Sequence, residues 1–213
     1  KGMPPVSVTV HRTHEGTEGI PAKAGVGVPM VNYLQLAEHT GTHVDALSHM
    51  SPDNAGQTIE TMPLSLFYTE GICLDLSDKG LGELIEAGDL QRACDKAGEQ
   101  IRERDTVLLY TDHYRKHFLD KDWINGPGLS EEAARWLGLK KIAAFGVETM
   151  SPGISGVSNR QVHAICGELG FTHYENLVNL QLLVGRGRFR FVGFPLRIRG
   201  GTGSPVRAVA IFN

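Results

Sequence analysis

The stretch Glu38–Met50, "EHTGTHVDALSHM", constrains the fold more than any other part of the chain. It places His39, His43, Asp45 and His49 in one short run, so three of the nine histidines lie together. Side chains so close in sequence converge on a common partner only if the backbone presents them on one side. In an extended segment side chains alternate with period two, which puts His39, His43 and Asp45 on one face. A helix would pair His39 with His43 but turn Asp45 away, and the Gly41-Thr42 step disfavours a regular helix. The run therefore reads as strand-like, with a turn over Ala46–Ser48 before His49. Two neutral imidazoles and one carboxylate are a suitable donor set for Zn2+ or Mn2+, and three protein donors leave a position open for water.

The surrounding chain supplies an α/β frame. "VSVTVHRTH" (Val6–His14) alternates as a strand, and "EGTEGIPAKAGVGVP" after it reads as a loop. "MVNYLQLAEHT" returns to strand character and runs into the histidine cluster. "GICLDLS" (Gly71–Ser77) and "DTVLLYT" (Asp105–Thr111) read as buried strands. Between them Leu90, Ala93, Ala97 and Ile101 have helical spacing, with Asp89 as the expected N-cap. "LSEEAARWLGLK" is a second helix capped by Ser130, followed by the strand "KIAAFGVE". "SNRQVHAICGELG" is a third, capped by Ser158 and stopped by Gly170. "RFRFVGFPLRI" and "SPVRAVAIFN" read as two closing strands. Strands at both ends and alternating elements between predict a single α/β domain over 1–213, with a mixed sheet curled toward a barrel and flanking helices.

The motif "HTGTHVDALSH" resembles the H-x-G-T-H-x-D-x-P-x-H signature of the cyclase family of metal-dependent hydrolases, which includes bacterial kynurenine formamidase and isatin hydrolase. The departure is Leu47 where the family has Pro; it removes no ligand and bears on the stiffness of the turn. In the formamidases a downstream His and a Glu twelve positions later complete a two-metal site, and His163 and Glu175 match that spacing. The closing "RGGTGSPVRAVAI" is also similar to the family, so the likeness runs from about Val31 to the end. It implies a swivelling β/β/α, cyclase-like fold. It also implies that His39, His43 and Asp45 hold one ion and that Asp45 bridges to a second held by His163 and Glu175. His49 is then a proton shuttle beside a water made acidic by the metal. The implied activity is hydrolysis of a linear or cyclic amide, first an aryl formamide such as N-formylkynurenine, next an isatin-type lactam or cyclic imide. The family also implies a homo-oligomer, a dimer or tetramer. A different class fits the same residue types: a metal-stabilised binding protein in which His49 closes a structural site.

Other signals point less sharply. His113 and His117 repeat the H-x3-H spacing without a zincin-type carboxylate and read as exposed or pocket-edge residues. His11 and His14 read as surface residues. Glu148, after a predicted strand, reads equally as a functional loop residue or a solvated strand end. Phe67, Tyr68, Trp123 and Trp136 read first as packing, Trp136 above all, with Phe67 and Trp123 the better candidates for a substrate wall. "GGTGSP" (Gly200–Pro205) lacks the Lys-Ser/Thr of a phosphate loop and reads as a turn. The net charge of −3 and the absence of a basic run argue against a nucleic-acid partner. No apolar run reaches the length of a membrane span, and no signal pattern opens the chain, though Lys1 is not an initiator methionine. Cys73, Cys94 and Cys166 show no zinc spacing, and one at least must stay unpaired, which predicts a reduced cytoplasmic protein.

Overall fold

The computed structural model describes residues 4–17, 20–21 and 28–212. The N-terminal part holds β1 (Ser7–Arg12), β2 (Gly16–Thr17), β3 (Ile20–Pro21) and β4 (Val31–Gln35). Next come β5 (His43–Asp45), α1 (Leu47–Met50), β6 (Tyr68–Asp75), β7 (Leu84–Ile85) and α2 (Ala87–Ala97). The middle continues with β8 (Thr106–Tyr110), α3 (His113–His117), β9 (Gly128–Leu129), α4 (Glu131–Leu139) and β10 (Ala144–Val147). Then follow α5 (Asn159–Leu169), β11 (Thr172–Glu175), β12 (Phe189–Val192), β13 (Gly203–Pro205) and β14 (Val209–Ile211).

Eight strands form the main sheet in the order β13-β5-β11-β10-β8-β6-β12-β14. The centre is parallel, with β6, β8, β10 and β11 running together, while β5, β12, β13 and β14 join antiparallel. Strands β13 and β14 are consecutive in the chain yet occupy opposite edges. A flat sheet of this size would be roughly 34 Å wide at normal strand spacing. The short link between those two strands reaches no more than about 14 Å. The sheet must therefore curl into a partly closed barrel, as predicted. What reads in sequence as one closing strand, "SPVRAVAIFN", is split across the seam. Every residue of β8 and β10 is buried, because the curl covers one face and helices the other. Tyr174, Phe67, Phe145, Phe171 and Phe191 are among the largest fully buried side chains. Phe67 is thus packing, as first read, and its burial excludes it from a substrate wall.

Local signals explain most element ends. Ser130 caps α4 by accepting from the Ala133 amide at 3.1 Å. Asp89 does not cap α2: the helix begins earlier, with Glu86 as N-cap, and the Asp89 carboxylate reaches back to the Glu86 amide at 2.8 Å. That reciprocal box satisfies two amides that a helix start leaves open. Ser158 stands at the N-cap position of α5, but its hydroxyl donates to the Leu129 carbonyl at 2.7 Å, tying the helix start to β9. Gly170 ends α5 with a positive φ, as expected.

Strands β1 and β4 form a separate antiparallel ribbon. Val8, Val10, Tyr33 and Leu34 are all exposed on it, and so are His11 and His14. The loop expected after β1 carries the short β2–β3 pairing, and parts of that stretch lie outside the described residues. No helix among the described residues is long and apolar enough to cross a membrane.

Candidate metal centre

Strand β5 carries His43 and Asp45 on one face, both buried, between β11 and β13. His39 is not in that strand. Residues 38–42 form a turn, and Gly41 takes a φ of +66° that an extended path would not need. The turn folds His39 back over β5, so it reaches Asp45 by reversal rather than by alternation. Gly203 on β13 makes the space: a Cβ there would lie 2.7 Å from His39 Cε1. "GGTGSP" is accordingly a turn only at its start; its end is the strand flanking β5. After β5 the chain turns into α1, with Leu47 buried as its first residue. Ala46 before it is extended, the backbone that a following Pro also imposes, so the family's Pro position is conformationally matched by Leu47.

The two downstream residues arrive from different elements. His163 sits on α5, and Glu175 at the end of β11 pairs with His43 across the sheet. Between them is a residue the sequence reading passed over. His173 on β11 is 0% exposed, and its Nε2 lies 3.2 Å from both Asp45 Oδ2 and Glu175 Oε1. The available signal was the H-x-E step in "THYE", which on a strand puts both side chains on one face.

Asp45 is the hub. Its Oδ1 lies 2.8 Å from His39 Nδ1 and 3.3 Å from His43 Nε2. Its Oδ2 faces the Nε2 atoms of His173, His163 and His49 at 3.2, 3.6 and 3.7 Å. Glu175 spans the same two sides, with Oε1 toward His173 and Oε2 3.4 Å from His43 Nε2.

Hydrogen bonds fix the tautomers of three of these rings. His43 Nδ1–H donates to the Gly41 carbonyl at 2.8 Å, and His163 Nδ1–H to the Asn159 carbonyl at 2.8 Å. In its neutral form each therefore turns a bare Nε2 toward carboxylate oxygen. For His39, Thr202 gives its own proton to Glu38 at 2.6 Å, so it must accept from His39 Nε2–H at 3.0 Å. That leaves His39 Nδ1 bare as well, 2.8 Å from a carboxylate oxygen. Three lone pairs aimed at anions repel unless a proton or a metal cation lies among them. Asp45 Oδ2, buried, has no hydrogen-bond partner among the described residues. Donors about 2.1 Å from a tetrahedral ion stand about 3.4 Å from one another, and the separations above cluster around that value. The residues fit a divalent metal.

The electrostatics show the same pull toward positive charge. Burial opposes charge on Asp45, but the surrounding imidazoles, His173 foremost, hold its carboxyl well below the usual range. Burial likewise opposes charge on His43 and His173, yet the carboxylates outweigh it and raise both. His49 goes the other way: burial, helped by the neighbouring histidines, lowers it against the pull of Asp45. It is also the most open member, 38% exposed in its side chain.

The other candidates lie apart from this hub's contacts. His113 is buried rather than exposed: its Nε2 meets the Trp123 carbonyl at 2.9 Å and its ring stacks on Trp123 at 5.1 Å. His117 pairs with Asp120 at 3.1 Å. Trp123 is therefore a packing partner of α3, and Trp136 is half-buried against the core. Glu148 is fully buried, not a solvated strand end, and accepts the Thr111 amide at 2.8 Å just before α3.

The family described as "Putative cyclase" matches residues 5–153. The chain is 27% identical to cyclase-like protein 2 of Oryza sativa subsp. japonica over 187 residues, covering 84% of this chain and 64% of that protein. It is 27% identical to kynurenine formamidase of Paracidovorax citrulli over 179 residues, covering 84% and 78%. The structure of isatin hydrolase A from Ralstonia solanacearum superposes with a TM-score of 0.84 at 26% identity, over 99% of this chain and 82% of that one. Signature motif, curled sheet and family match coincide, and the chain belongs to the cyclase family.

Proposed function

We propose that this chain is a metal-dependent amidohydrolase whose first substrate class is aryl formamides such as N-formylkynurenine. The observation that carries the reading is the convergence of three bare imidazole nitrogens on Asp45, an arrangement that a divalent cation such as Zn2+ or Mn2+ resolves. His39, His43 and Asp45 would hold one ion, and Asp45, His163 and Glu175 a second. A metal here supplies Lewis acidity, bringing the pKa of water from about 15.7 to roughly 7 and polarising a carbonyl.

The protein's own groups do the rest. Glu38 and Thr202 fix the ring of His39, and the Gly41 and Asn159 carbonyls fix His43 and His163. His49, with its pKa lowered mainly by burial, is neutral near pH 7. It accepts a proton from the attacking water and returns it to the leaving nitrogen as the C–N bond breaks, giving an amine and a carboxylate. Its exposure at the rim of the cluster suits contact with both water and substrate. Isatin-type lactams are the second substrate class, favoured by the superposition with isatin hydrolase A. The exposed apolar β1–β4 ribbon supports a homo-oligomer, since a lone two-stranded ribbon is marginal in water. Three unpaired buried cysteines support a reducing, cytoplasmic location.

Hydrolysis of a panel of formanilides, lactams and imides by chelated and metal-reloaded protein tests the reading. Turnover of at least one class that disappears on chelation and returns with metal is expected. A metal-loaded protein that turns over none of them is instead a binding protein.

A further inference from the structure

Resting on the metal reading above, we infer that His173 is itself a metal ligand. Asp45 Oδ2, His163 Nε2, His173 Nε2 and Glu175 Oε1 then form a complete four-donor shell around an inner ion. The signature motif accounts for His39, His43 and Asp45, and the family spacing for His163 and Glu175; neither gives His173 a role. Yet no imidazole of the cluster is more deeply placed. It is 0% exposed, and its Nε2 stands equally, at 3.2 Å, from the two carboxylates that span the centre. The ring is held flat against Phe145 at 5.3 Å and edge-on to His163 at 4.9 Å. Strand β11 fixes its direction, since Glu175 lies two residues on and shares its face. One donor atom from each of Asp45, His163, His173 and Glu175 falls within 4.8 Å of all the others.

Four protein donors fill a tetrahedral ion, which is the closed arrangement of structural zinc. The outer side differs: His39, His43 and Asp45 Oδ1 give three donors and leave a place open, with His49 nearby. The inner ion would thus hold the centre together while the outer side meets substrate. This differs from a role for His173 as a protonated counter-ion, which would fill the inner space with its own N–H and leave room for one metal only.

Chelated protein titrated with Co2+, followed by visible absorption and by elemental analysis after desalting, counts the ions. Two per chain are expected for the wild type and one for His173→Leu, whose side chain keeps the apolar contact with Phe145. Cadmium-113 NMR of the loaded wild type supplies a readout that needs no variant: coupling between the metal and the His173 ring protons. Absence of that coupling overturns the inference, whatever the variant does, and so does a His173→Leu protein that still binds two ions. A wild type that binds one ion without coupling to His173 overturns the inner shell but leaves the hydrolase reading standing. A wild type that binds none overturns both.

Discussion

The chain contains the spacing H-x3-H twice, at His39/His43 and at His113/His117, and the two pairs end in opposite situations. The first pair faces one buried carboxylate with bare nitrogens, and that carboxylate keeps an oxygen without a hydrogen-bond partner. In the second pair each ring is already answered: His113 by the Trp123 carbonyl and indole, His117 by Asp120. Asp120, Asp122 and His117 also come close enough to suggest a metal group, but Asp120 already accepts the Asp122 amide at 2.7 Å as well as His117. Spacing brings donors together in both places. Only where lone pairs remain unanswered, in a place water does not reach freely, is a cation called for.

Substitutions around each pair test that contrast. The largest effect is expected at His49. His49→Ala should retain metal and fold while kcat falls about 10²–10⁴-fold, the usual contribution of a positioned acid/base. Loss of metal in this variant would make His49 a ligand and favour the closed, non-catalytic reading. Next is Thr202→Val, which removes the acceptor that fixes the His39 tautomer. Partners that orient metal-bound histidines typically matter by about 10–100-fold in affinity or activity. A competition titration with a chromophoric chelator should show that loss for one ion of the two, and unchanged affinity would mean that His39 needs no orienting partner.

A smaller effect belongs to the second region. Burial, the largest influence, raises the Glu148 carboxyl above its ordinary 4.5, against the amides it accepts near α3. The folded state therefore holds this proton to higher pH than the unfolded chain does. Its contribution to stability is complete below about pH 4.5 and is lost as pH rises through the raised value. Glu148→Gln should flatten the pH dependence of urea unfolding over that range. Equal slopes in both proteins would contradict it. The smallest effect is at His117. Its partner is a half-exposed Asp120, so His117→Ala should alter stability by no more than about 0.5 kcal/mol and leave metal content unchanged. A loss of bound metal would erase the difference between the two pairs.

How much of this was readable in the sequence depended on distance along the chain. His43 and Asp45 share a face because adjacent strand residues alternate, and that rule needs no tertiary knowledge. The same rule assigned His39 to the correct partner through the wrong geometry, since the positive φ of Gly41 turns the chain where an extended path was expected. The Ser130 cap was legible because its partner amide is three residues away. The relay from Glu38 through Thr202 to His39 was not, because it joins residues 163 positions apart. His173 lies between these cases: the H-x-E step of "THYE" is a weak local mark until Asp45 is known to stand opposite. The split of the closing segment across the barrel seam was hidden for a related reason, as local periodicity carries no information about which edge a strand joins.

Anomalous diffraction at the metal edge from crystals of metal-loaded protein locates the cation directly. A peak is expected beside the Asp45 carboxylate, within about 2.2 Å of imidazole nitrogens of the cluster, and none at His117, Asp120 and Asp122. Saturating metal with no peak at Asp45, or a peak only at the second group, would contradict it.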